Sequence, residues 1–392
     1  MDLSARLSRV KPSSTMAVTA KVLELKAAGH EVIGFAAGEP DFPTWPHVCE
    51  AAHAAIERGD FHYTPVGGTP ELKQAILTKL ERDNALSYEA ADVIASCGGK
   101  HALYNAIGAV LDEGDDVVVP GPCWVSYPDM VALAGGTARV IATDEARGFK
   151  MTADELAAAL RPETKLVILN SPSNPTGATY SEDEMVELGR VLADHQCWVI
   201  VDDVYEFIRY DGTRPRHLVA LVPELRERAI VCNSVSKTYA MTGWRVGYTA
   251  APRPIVKAMT TLQGQQTSNP SAIAQAAAAA ALGGPQDELV PMVAEFRKRR
   301  DAICARIDAI DGLSVAVPDG AFYVFVNARG VFERTGAADG DALALKLLEG
   351  AKVGVVGGND FGSADHFRIS YATSLEQIER GMDAIEAYLR AL

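Results

Sequence analysis

Short runs of apolar, mostly β-branched residues alternate with helical patterns through the middle of the chain. Four runs, each bounded by charge, Gly or Pro, predict buried strands at 117–119, 166–169, 198–201 and 230–231. Helical patterns lie among them at 102–111, 154–160 and 181–195. Ser181 and Glu184 form a capping-box pattern at the start of the last of these. Strands that alternate with helices predict a mainly parallel sheet covered on both faces.

The pattern changes after Gly283-Gly284-Pro285. The remaining residues predict a long charged helix, then strands and helices in turn, at 287–310, 322–326, 341–349, 367–370 and from 375 onward. We therefore predict an α/β fold with a three-layer α/β/α large domain and a smaller α+β domain. The predicted divisions are an N-terminal segment that packs on the small domain (1–46), the large domain (47–285) and the small domain (286–392).

Composition narrows the function classes. The chain has 392 residues and a formal net charge of −14, which argues against a nucleic-acid partner or an anionic membrane surface. Its six cysteines form no C-x-x-C pair, so neither a zinc site nor a disulfide framework is indicated. The N-terminus lacks the apolar region of a secretory signal, and the alanine-rich segment 271–284 is too short for a membrane span. We expect a cytoplasmic protein.

Several common motifs are missing from the sequence. No two glycines are separated by one residue, which excludes the G-x-G-x-x-G dinucleotide fingerprint. Gly98-Gly99-Lys100 lacks the remaining positions of a P-loop, because residue 94 is Ile and residue 101 is His. Neither H-E-x-x-H nor G-x-S-x-G occurs. The histidines do not cluster at metal-ligand spacing, so we predict no metal site.

Polar residues do follow the predicted strands, where a parallel sheet binds its ligand. They form four groups, at 96–100, 170–177, 202–205 and 234–245. The first places two glycines before a helix, which suits an anion, and the second is a proline-stiffened loop that ends at Gly177. Each of these two also fits a plainer role as a turn. Asp202 directly follows a buried strand, where an acid needs a positive partner, although a helix cap would place an acid there too.

The last group contains a single lysine, Lys237, between Ser234 and Arg245. A desolvated lysine can lose its proton and attack a carbonyl to form a Schiff base. Ser234 and Arg245 offer donors to phosphate oxygens. A lysine that captures an aldehyde, a phosphate cradle and a buried acid are together what pyridoxal phosphate requires.

The sequence resembles the class I aminotransferases of fold type I, and most closely their bacterial aspartate/prephenate aminotransferase branch. The motifs that carry the resemblance cover nearly the whole chain: K-P-S at 11–13, A-G-E-P-D-F at 37–42, Y-T-P at 63–65, G-G-K at 98–100, W-V-S-Y-P at 124–128, N-S-P-S-N-P-T-G at 170–177, D-D-V-Y at 202–205, S-V-S-K-T-Y-A-M-T-G-W-R at 234–245 and F-R-I-S-Y-A-T-S at 367–374.

The resemblance implies how the large domain would bind pyridoxal 5′-phosphate. Lys237 would form the aldimine and later carry the proton between Cα and C4′ of the cofactor. Asp202 would pair with the pyridine nitrogen, Tyr205 and Asn174 with the phenolic oxygen, and Trp124 would stack on the ring. The phosphate would be held by Ser234, Arg245 and the backbone of Gly99 and Lys100. Tyr63 would reach the phosphate of a neighbouring subunit, which implies a homodimer with shared sites.

It also implies how amino-acid and 2-oxo-acid substrates are bound. Arg368 and the backbone of Gly38 would hold the α-carboxylate, next to Trp124 and Asn174. Lys100 would read the distal carboxylate of aspartate or glutamate, and Lys11 is associated with the use of prephenate. For Lys11 a solvent-exposed charge is an equally good interpretation, and for Arg368 the plainer role is a strand-edge salt bridge.

The function implied is a ping-pong transamination of the aspartate:2-oxoglutarate type, in which an acidic amino acid donates to 2-oxoglutarate or oxaloacetate. Prephenate stays open as a further acceptor. The alternatives are an aminotransferase for neutral or aromatic amino acids, a regulator that senses the cofactor, and a different pyridoxal-phosphate reaction such as β-elimination. Cys123, His101 and Gly357 depart from the pattern expected of the branch and leave side-chain preference open.

Overall fold

Within the described residues, a seven-stranded sheet occupies the middle of the chain and a four-stranded sheet its last part. The computed structural model describes residues 4–213 and 216–392, so the first three residues of the predicted N-terminal segment lie outside it. Helix α1 (Ser14–Ala27) and strand β1 (Ile33–Gly34) come before the large sheet.

The large sheet is mainly parallel, as predicted. Its spatial order is β2-β8-β7-β6-β5-β3-β4, and β8 is antiparallel to both of its neighbours while the other pairs are parallel. The seven strands are β2 (Val93–Ser96), β3 (Asp116–Gly121), β4 (Thr137–Ala142), β5 (Thr164–Asn170), β6 (Trp198–Asp202), β7 (Ala229–Ser234) and β8 (Gly247–Ala250). The carboxyl ends of β5, β6 and β7 therefore meet at one edge.

Successive residues of these strands point to opposite faces of the sheet, and both faces are buried. In β5, Leu166 and Ile168 belong to one hydrophobic cluster, whereas Val167 and Leu169 belong to another. The central strands read as continuous apolar runs because each face is covered by helices. This arrangement is the three-layer α/β/α architecture that the sequence predicts.

Nine helices of the described chain surround this sheet. They are α2 (Pro46–Arg58), α3 (Pro70–Asn84), α4 (Gly99–Val110), α5 (Ser126–Leu133), α6 (Ala153–Ala159), α7 (Glu182–Asp194), α8 (Leu218–Leu221), α9 (Arg253–Gln266) and α10 (Ala272–Gly283). Helix α7 begins as predicted, since the Ser181 hydroxyl accepts from the Glu184 amide and the Glu184 carboxylate accepts from the Ser181 amide.

The C-terminal part has the predicted α+β character, with helices and an antiparallel sheet. Its antiparallel sheet has the order β12-β13-β10-β9 among the described strands. Its elements are α11 (Leu289–Asp308), β9 (Ser314–Val315), β10 (Tyr323–Asn327), α12 (Phe332–Thr335), α13 (Gly340–Lys346), β11 (Val353–Gly354), β12 (Val356–Gly357), β13 (His366–Ser370) and α14 (Leu375–Arg390). A π-helical turn, Leu347–Ala351, continues α13.

The N-terminal segment joins this C-terminal part. Strand β1 pairs in parallel with β11, so that Ile33 faces Val353. The domain boundaries at residues 46 and 285 stay a prediction. Among the described helices, none is both long and apolar enough to cross a membrane.

A buried lysine takes part in a hydrogen-bond network next to the end of β7. Lys79 is 1% exposed; its ammonium donates to the carboxylate of Glu206 and, at 2.6 Å, to Asn84. Glu206 also accepts from Asn84 and from Asn233, at 2.8 and 2.6 Å. Asn233 in turn accepts from the amide of Ser234 at 2.7 Å, so this network fixes the residue at which β7 ends.

Replacing Lys79 should therefore be costly. We expect Lys79→Met to lower the free energy of unfolding by about 3–5 kcal/mol, because it leaves the Glu206 carboxylate, 14% exposed, without its cation. The measurement is urea denaturation at a fixed protein concentration. Lys21→Met is the matched control, since that lysine is half exposed and pairs with Glu24 on the surface, and it should cost at most about 1 kcal/mol. Equal effects of the two variants would contradict the assigned role of Lys79.

Candidate active site

A cavity of about 250 Å³ opens where the carboxyl ends of β5, β6 and β7 meet the strands β10 and β13. Ligands of parallel α/β sheets bind in this position. The cavity brings together eleven of the residues predicted for the site: Gly38, Gly99, Lys100, Trp124, Asn174, Asp202, Tyr205, Ser234, Lys237, Arg245 and Arg368.

Lys237 stands three residues after β7 and is half-buried in the cavity wall. Its ammonium donates to the backbone carbonyl of Gly38. Burial lowers the pKa of Lys237 to about 8, and the Arg368 and Arg245 guanidinium groups act in the same direction. Near neutral pH, Lys237 therefore loses its proton far more readily than an ordinary lysine, and the neutral amine is the form that attacks a carbonyl.

Asp202 is the last residue of β6 and is 4% exposed. Its two hydrogen bonds come from neutral donors, the Tyr127 hydroxyl at 2.6 Å and the Val204 amide at 3.2 Å. Burial raises the pKa of Asp202 to about 6, although the hydrogen bond from Tyr127 opposes the rise. A carboxylate in this environment is suited to a cationic ligand atom, which would remove the cost of burying its charge.

Arg368 lies in the middle of β13, opposite Phe325 of β10, and is 1% exposed. Its Nη1 donates to the side-chain oxygen of Asn174 at 2.8 Å, and its Nη2 to the carbonyl of Ala36 at 2.9 Å. Its Nε–H has no hydrogen-bond partner among the described residues. Burial lowers the pKa of Arg368. A guanidinium group has five N–H donors in one plane, so it retains donors for a carboxylate.

Glycines just after β2 let the Arg245 and Ser234 side chains approach the backbone. Gly98 has a φ of +95°, and a Cβ on it would lie 2.3 Å from the guanidinium Nη2 of Arg245. Gly99 begins α4, and a Cβ there would lie 3.3 Å from the hydroxyl of Ser234. The first amides of a helix have no carbonyl partner within the helix. Side-chain donors and amide donors therefore coincide, as a phosphate group requires.

Lys100 and Trp124 form one side of the cavity. The Lys100 ammonium lies 4.9 Å from the centre of the Trp124 ring, which is within the range of a cation–π contact. Burial lowers the pKa of Lys100, the charge of Arg245 acts in the same direction, and Asp129 opposes both. Trp124 also contacts Tyr127 edge to face, with ring centres 5.3 Å apart.

Two predicted residues do not line this cavity. Tyr63 is 91% exposed, and its contact with a neighbouring subunit stays a prediction. Lys11 is exposed as well, but Ser13, Thr15 and Met16 just after it do reach the cavity. The structure thus places the segment that carries Lys11 at the entrance.

The cavity is also lined by polar residues that were not predicted for the site, among them Tyr127, Asn170 and Tyr323. Tyr127 lies on the first turn of α5, three residues after Trp124, which precedes the helix. Asn170 donates to the carbonyl of Asp202 at 2.9 Å and accepts from the Asn174 amide at 3.1 Å, so it ties the ends of β5 and β6 together. Tyr323 lies within an apolar strand pattern that gives no local signal.

These residues fit pyridoxal phosphate. The cradle formed by Gly98, Ser234 and Arg245 suits a phosphate. Asp202 suits a protonated ring nitrogen and Lys237 an aldehyde, and the unpartnered Nε–H of Arg368 leaves a donor for the carboxylate of an amino acid.

Comparison with known proteins agrees with this assignment. The sequence profile of the family described as aminotransferase class I and II matches residues 30–385. An aspartate aminotransferase of Geobacillus stearothermophilus is 46% identical over 391 residues, which is 100% of both chains. An aspartate/prephenate aminotransferase of Cereibacter sphaeroides is 47% identical, over 100% of this chain and 99% of that one.

Among solved structures, the aspartate aminotransferase of Rhizobium meliloti has a TM-score of 0.94 and 43% sequence identity, over 100% of this chain and 99% of that one. The similarity therefore extends over the whole chain and includes both sheets and the cavity between them. Fold, cavity and sequence agree, and the chain belongs to the class I and II aminotransferases.

Proposed function

We propose that this enzyme transfers the amino group of aspartate or glutamate to 2-oxoglutarate or oxaloacetate in a ping-pong cycle. The relatives named as aspartate aminotransferases support this substrate class and do not favour the alternative of neutral or aromatic amino acids. The name of the Cereibacter relative supports prephenate as a further acceptor.

The observation that carries the proposal is the charge of the cavity. Four cationic side chains and one carboxylate line it within the described chain: Lys100, Lys237, Arg245 and Arg368 against Asp202. Lys237 is committed to the cofactor, so Lys100, Arg245 and Arg368 remain for three anionic groups: the cofactor phosphate and the two carboxylates of a dicarboxylic substrate. A monocarboxylic amino acid would leave one of these cations without an anion.

As a member of this family, the enzyme uses pyridoxal 5′-phosphate, which acts when bound as an electron sink for the bond that breaks at the substrate Cα. Ser234, Arg245 and the first amides of α4, at Gly99 and Lys100, would hold its phosphate. Asp202 would hold the proton on its ring nitrogen. The buried position of Asp202 favours that ion pair, because no cation among the described residues is in hydrogen-bond contact with the carboxylate.

Three residues would fix the position of the ring. The side-chain oxygen of Asn174 is already used by Arg368, which leaves its amide hydrogens free to donate to the phenolic oxygen of the cofactor. Tyr205, which is 3% exposed, would donate to the same oxygen. Trp124 would contact one face of the ring, and its half-buried indole also excludes water from that side.

Lys237 would hold the cofactor and then move the substrate proton. Its lowered pKa suits both tasks, since a base works best when its pKa lies near the operating pH. Arg368 and the backbone at Gly38 would hold the α-carboxylate, and Lys100 would read the distal carboxylate of aspartate or glutamate. Lys11, at the entrance, would serve the use of prephenate. The flexible ammonium of a lysine accommodates acids of different length.

We further propose a homodimer in which Tyr63 completes the site of the partner subunit. Its support is the 91% exposure of this aromatic residue, which follows the exposed Phe61 by two residues. The cytoplasm is the compartment we propose, since all six cysteines are free thiols and such thiols are typical of reducing compartments.

The first half-reaction tests the proposed function. L-Aspartate added alone to the holoenzyme should convert the visible absorption of the bound cofactor to that of its amine form, and 2-oxoglutarate, then prephenate in a second sample, should restore it. Lys237→Ala should lower the rate at least about 10⁴-fold, since both the attachment and the proton carrier are lost. A holoenzyme that ignores aspartate but responds to alanine or phenylalanine would contradict the assignment.

Lys100 should decide the preference for acidic substrates. We expect Lys100→Met to raise KM for aspartate about 10- to 100-fold, because the distal carboxylate loses its charge partner, while kcat/KM for alanine changes less than about twofold. Cofactor affinity should stay the same, since Lys100 would contact the phosphate through its backbone. Lys11→Met is the companion variant. It should weaken the use of prephenate and leave aspartate unaffected, and equal losses with both substrates would count against the separate roles of the two lysines.

Mixed subunits test the shared site. Lys237→Ala and Tyr63→Ala each impair both sites of their own homodimers, but a mixed dimer would contain one site with both residues intact. Random reassociation of equal amounts should therefore recover about a quarter of wild-type activity, since half of the dimers are mixed and each has one intact site. A mixture no more active than the sum of its parents would show that Tyr63 acts within its own subunit or not at all.

A further inference from the structure

Tyr323 is the one aromatic residue of the C-terminal sheet that lines the cavity within the described chain. It is 1% exposed, and its hydroxyl lies 2.7 Å from the hydroxyl of Tyr205, which is also buried. The two rings meet edge to face, with centres 5.7 Å apart. Tyr205 follows β6 of the large sheet, so this hydrogen bond joins the two sheets at the active site.

The proposed function fixes the direction of this hydrogen bond. A phenol carries one hydrogen, which it donates, and it accepts through its oxygen lone pairs. If Tyr205 donates its hydrogen to the phenolic oxygen of the cofactor, it has none left for Tyr323. Tyr205 must then accept, and Tyr323 must donate. Hydrogen bonds arranged in series polarise one another, so a donor behind Tyr205 makes it a stronger donor in turn.

Independent contacts hold the Tyr323 side chain in this position. A Cβ on Gly38 would lie 2.7 Å from the Tyr323 hydroxyl oxygen, so the hydroxyl occupies space that only a glycine leaves open. On the other side, the guanidinium of Arg368 lies 4.5 Å from the centre of the Tyr323 ring, a cation–π distance. Tyr323 thus contacts both the residue proposed for the phenolic oxygen and the residue proposed for the substrate carboxylate.

We propose that Tyr323 is a positioning residue of this site, whose hydroxyl donates to Tyr205 and so commits Tyr205 to donate to the phenolic oxygen of the cofactor. The inference rests on the proposed roles of Lys237 and Tyr205 in binding pyridoxal phosphate. The ring of Tyr323 contacts Arg368 independently of the hydroxyl. Removing the hydroxyl alone therefore separates the two contributions of Tyr323.

The test is the pH dependence of the visible absorption of the holoenzyme, which reports the proton held between the Lys237 nitrogen and the phenolic oxygen. We expect Tyr323→Phe to move the midpoint of this change to higher pH by about 0.5 unit, because a weaker donor leaves more negative charge on the oxygen and the proton is held more tightly. The value of kcat for aspartate should fall about 3- to 10-fold with KM within about twofold, since the ring beneath Arg368 remains.

Tyr371→Phe is the matched control. Tyr371 is also fully buried, and its hydroxyl lies 3.1 Å from that of Tyr210, but neither of these tyrosines lines the cavity. Its removal deletes one hydroxyl from a comparable buried pair, and the absorption midpoint should stay where it is in the wild type.

A double variant shows whether Tyr323 acts through Tyr205. Tyr205→Phe alone should shift the midpoint further than Tyr323→Phe, and the double variant should match Tyr205→Phe. An unchanged midpoint in Tyr323→Phe, or a shift that adds fully to that of Tyr205→Phe, would overturn the inference. The titration needs only bound cofactor. A holoenzyme that titrates as described but does not react with aspartate would therefore contradict the proposed function and not this inference.

Discussion

The active site depends on cations that are held in the cavity by neutral groups. Arg368 donates to an amide oxygen and a backbone carbonyl, Arg245 to the carbonyl of Thr242 at 2.8 Å, and Lys237 to that of Gly38. Lys100 lies over an indole ring. Among the described residues, none of these four groups is hydrogen-bonded to a carboxylate. Had each been paired with a carboxylate, the cavity would be neutral and would offer little to a phosphate or a dicarboxylic acid.

Those neutral acceptors come from distant parts of the chain, and this joins the two sheets. Ala36 and Gly38 belong to the N-terminal segment, whereas Asn174 follows β5 of the large sheet. The same segment is held from the C-terminal part by Arg299, whose guanidinium donates to Asp41 at 2.7 Å. The contacts that prepare the site for anions are therefore also contacts that assemble the molecule. A ligand that binds Arg368 therefore contacts a side chain of the C-terminal sheet that is hydrogen-bonded to the N-terminal segment and to the loop after β5.

Much of this could be predicted from sequence, because the residues that follow parallel strands obey a general rule. Asp202, Ser234 and Lys237 stand at or just after strand ends, and the strands themselves are marked by apolar runs. The same rule predicts a ligand-binding turn at Gly98 and Gly99.

Arg368 and Tyr323 obey no such rule. They lie within short strands that are almost wholly buried, so no alternation of polar and apolar residues marks the face that lines the cavity. Their position depends on the antiparallel register of β10 with β13, in which Phe325 faces Arg368. Nothing local in the sequence sets that register. Resemblance to a family predicted the role of Arg368, whereas Tyr323 was identified only from the structure.

Burial favours the uncharged form of both acid–base groups of the site. It raises the pKa of Asp202 to about 6 and lowers that of Lys237 to about 8. For both, the charged form is the one that burial disfavours, so at neutral pH each charge makes the folded state less stable than it would otherwise be. A cationic ring nitrogen beside Asp202 would lower its pKa again, and anions beside Arg245 and Arg368 would relieve the repulsion felt by Lys237. Ligand binding thus removes a cost that the folded protein already bears. Residues whose charges destabilise the folded protein therefore contribute to its affinity for the cofactor. Binding of the cofactor in turn stabilises the fold.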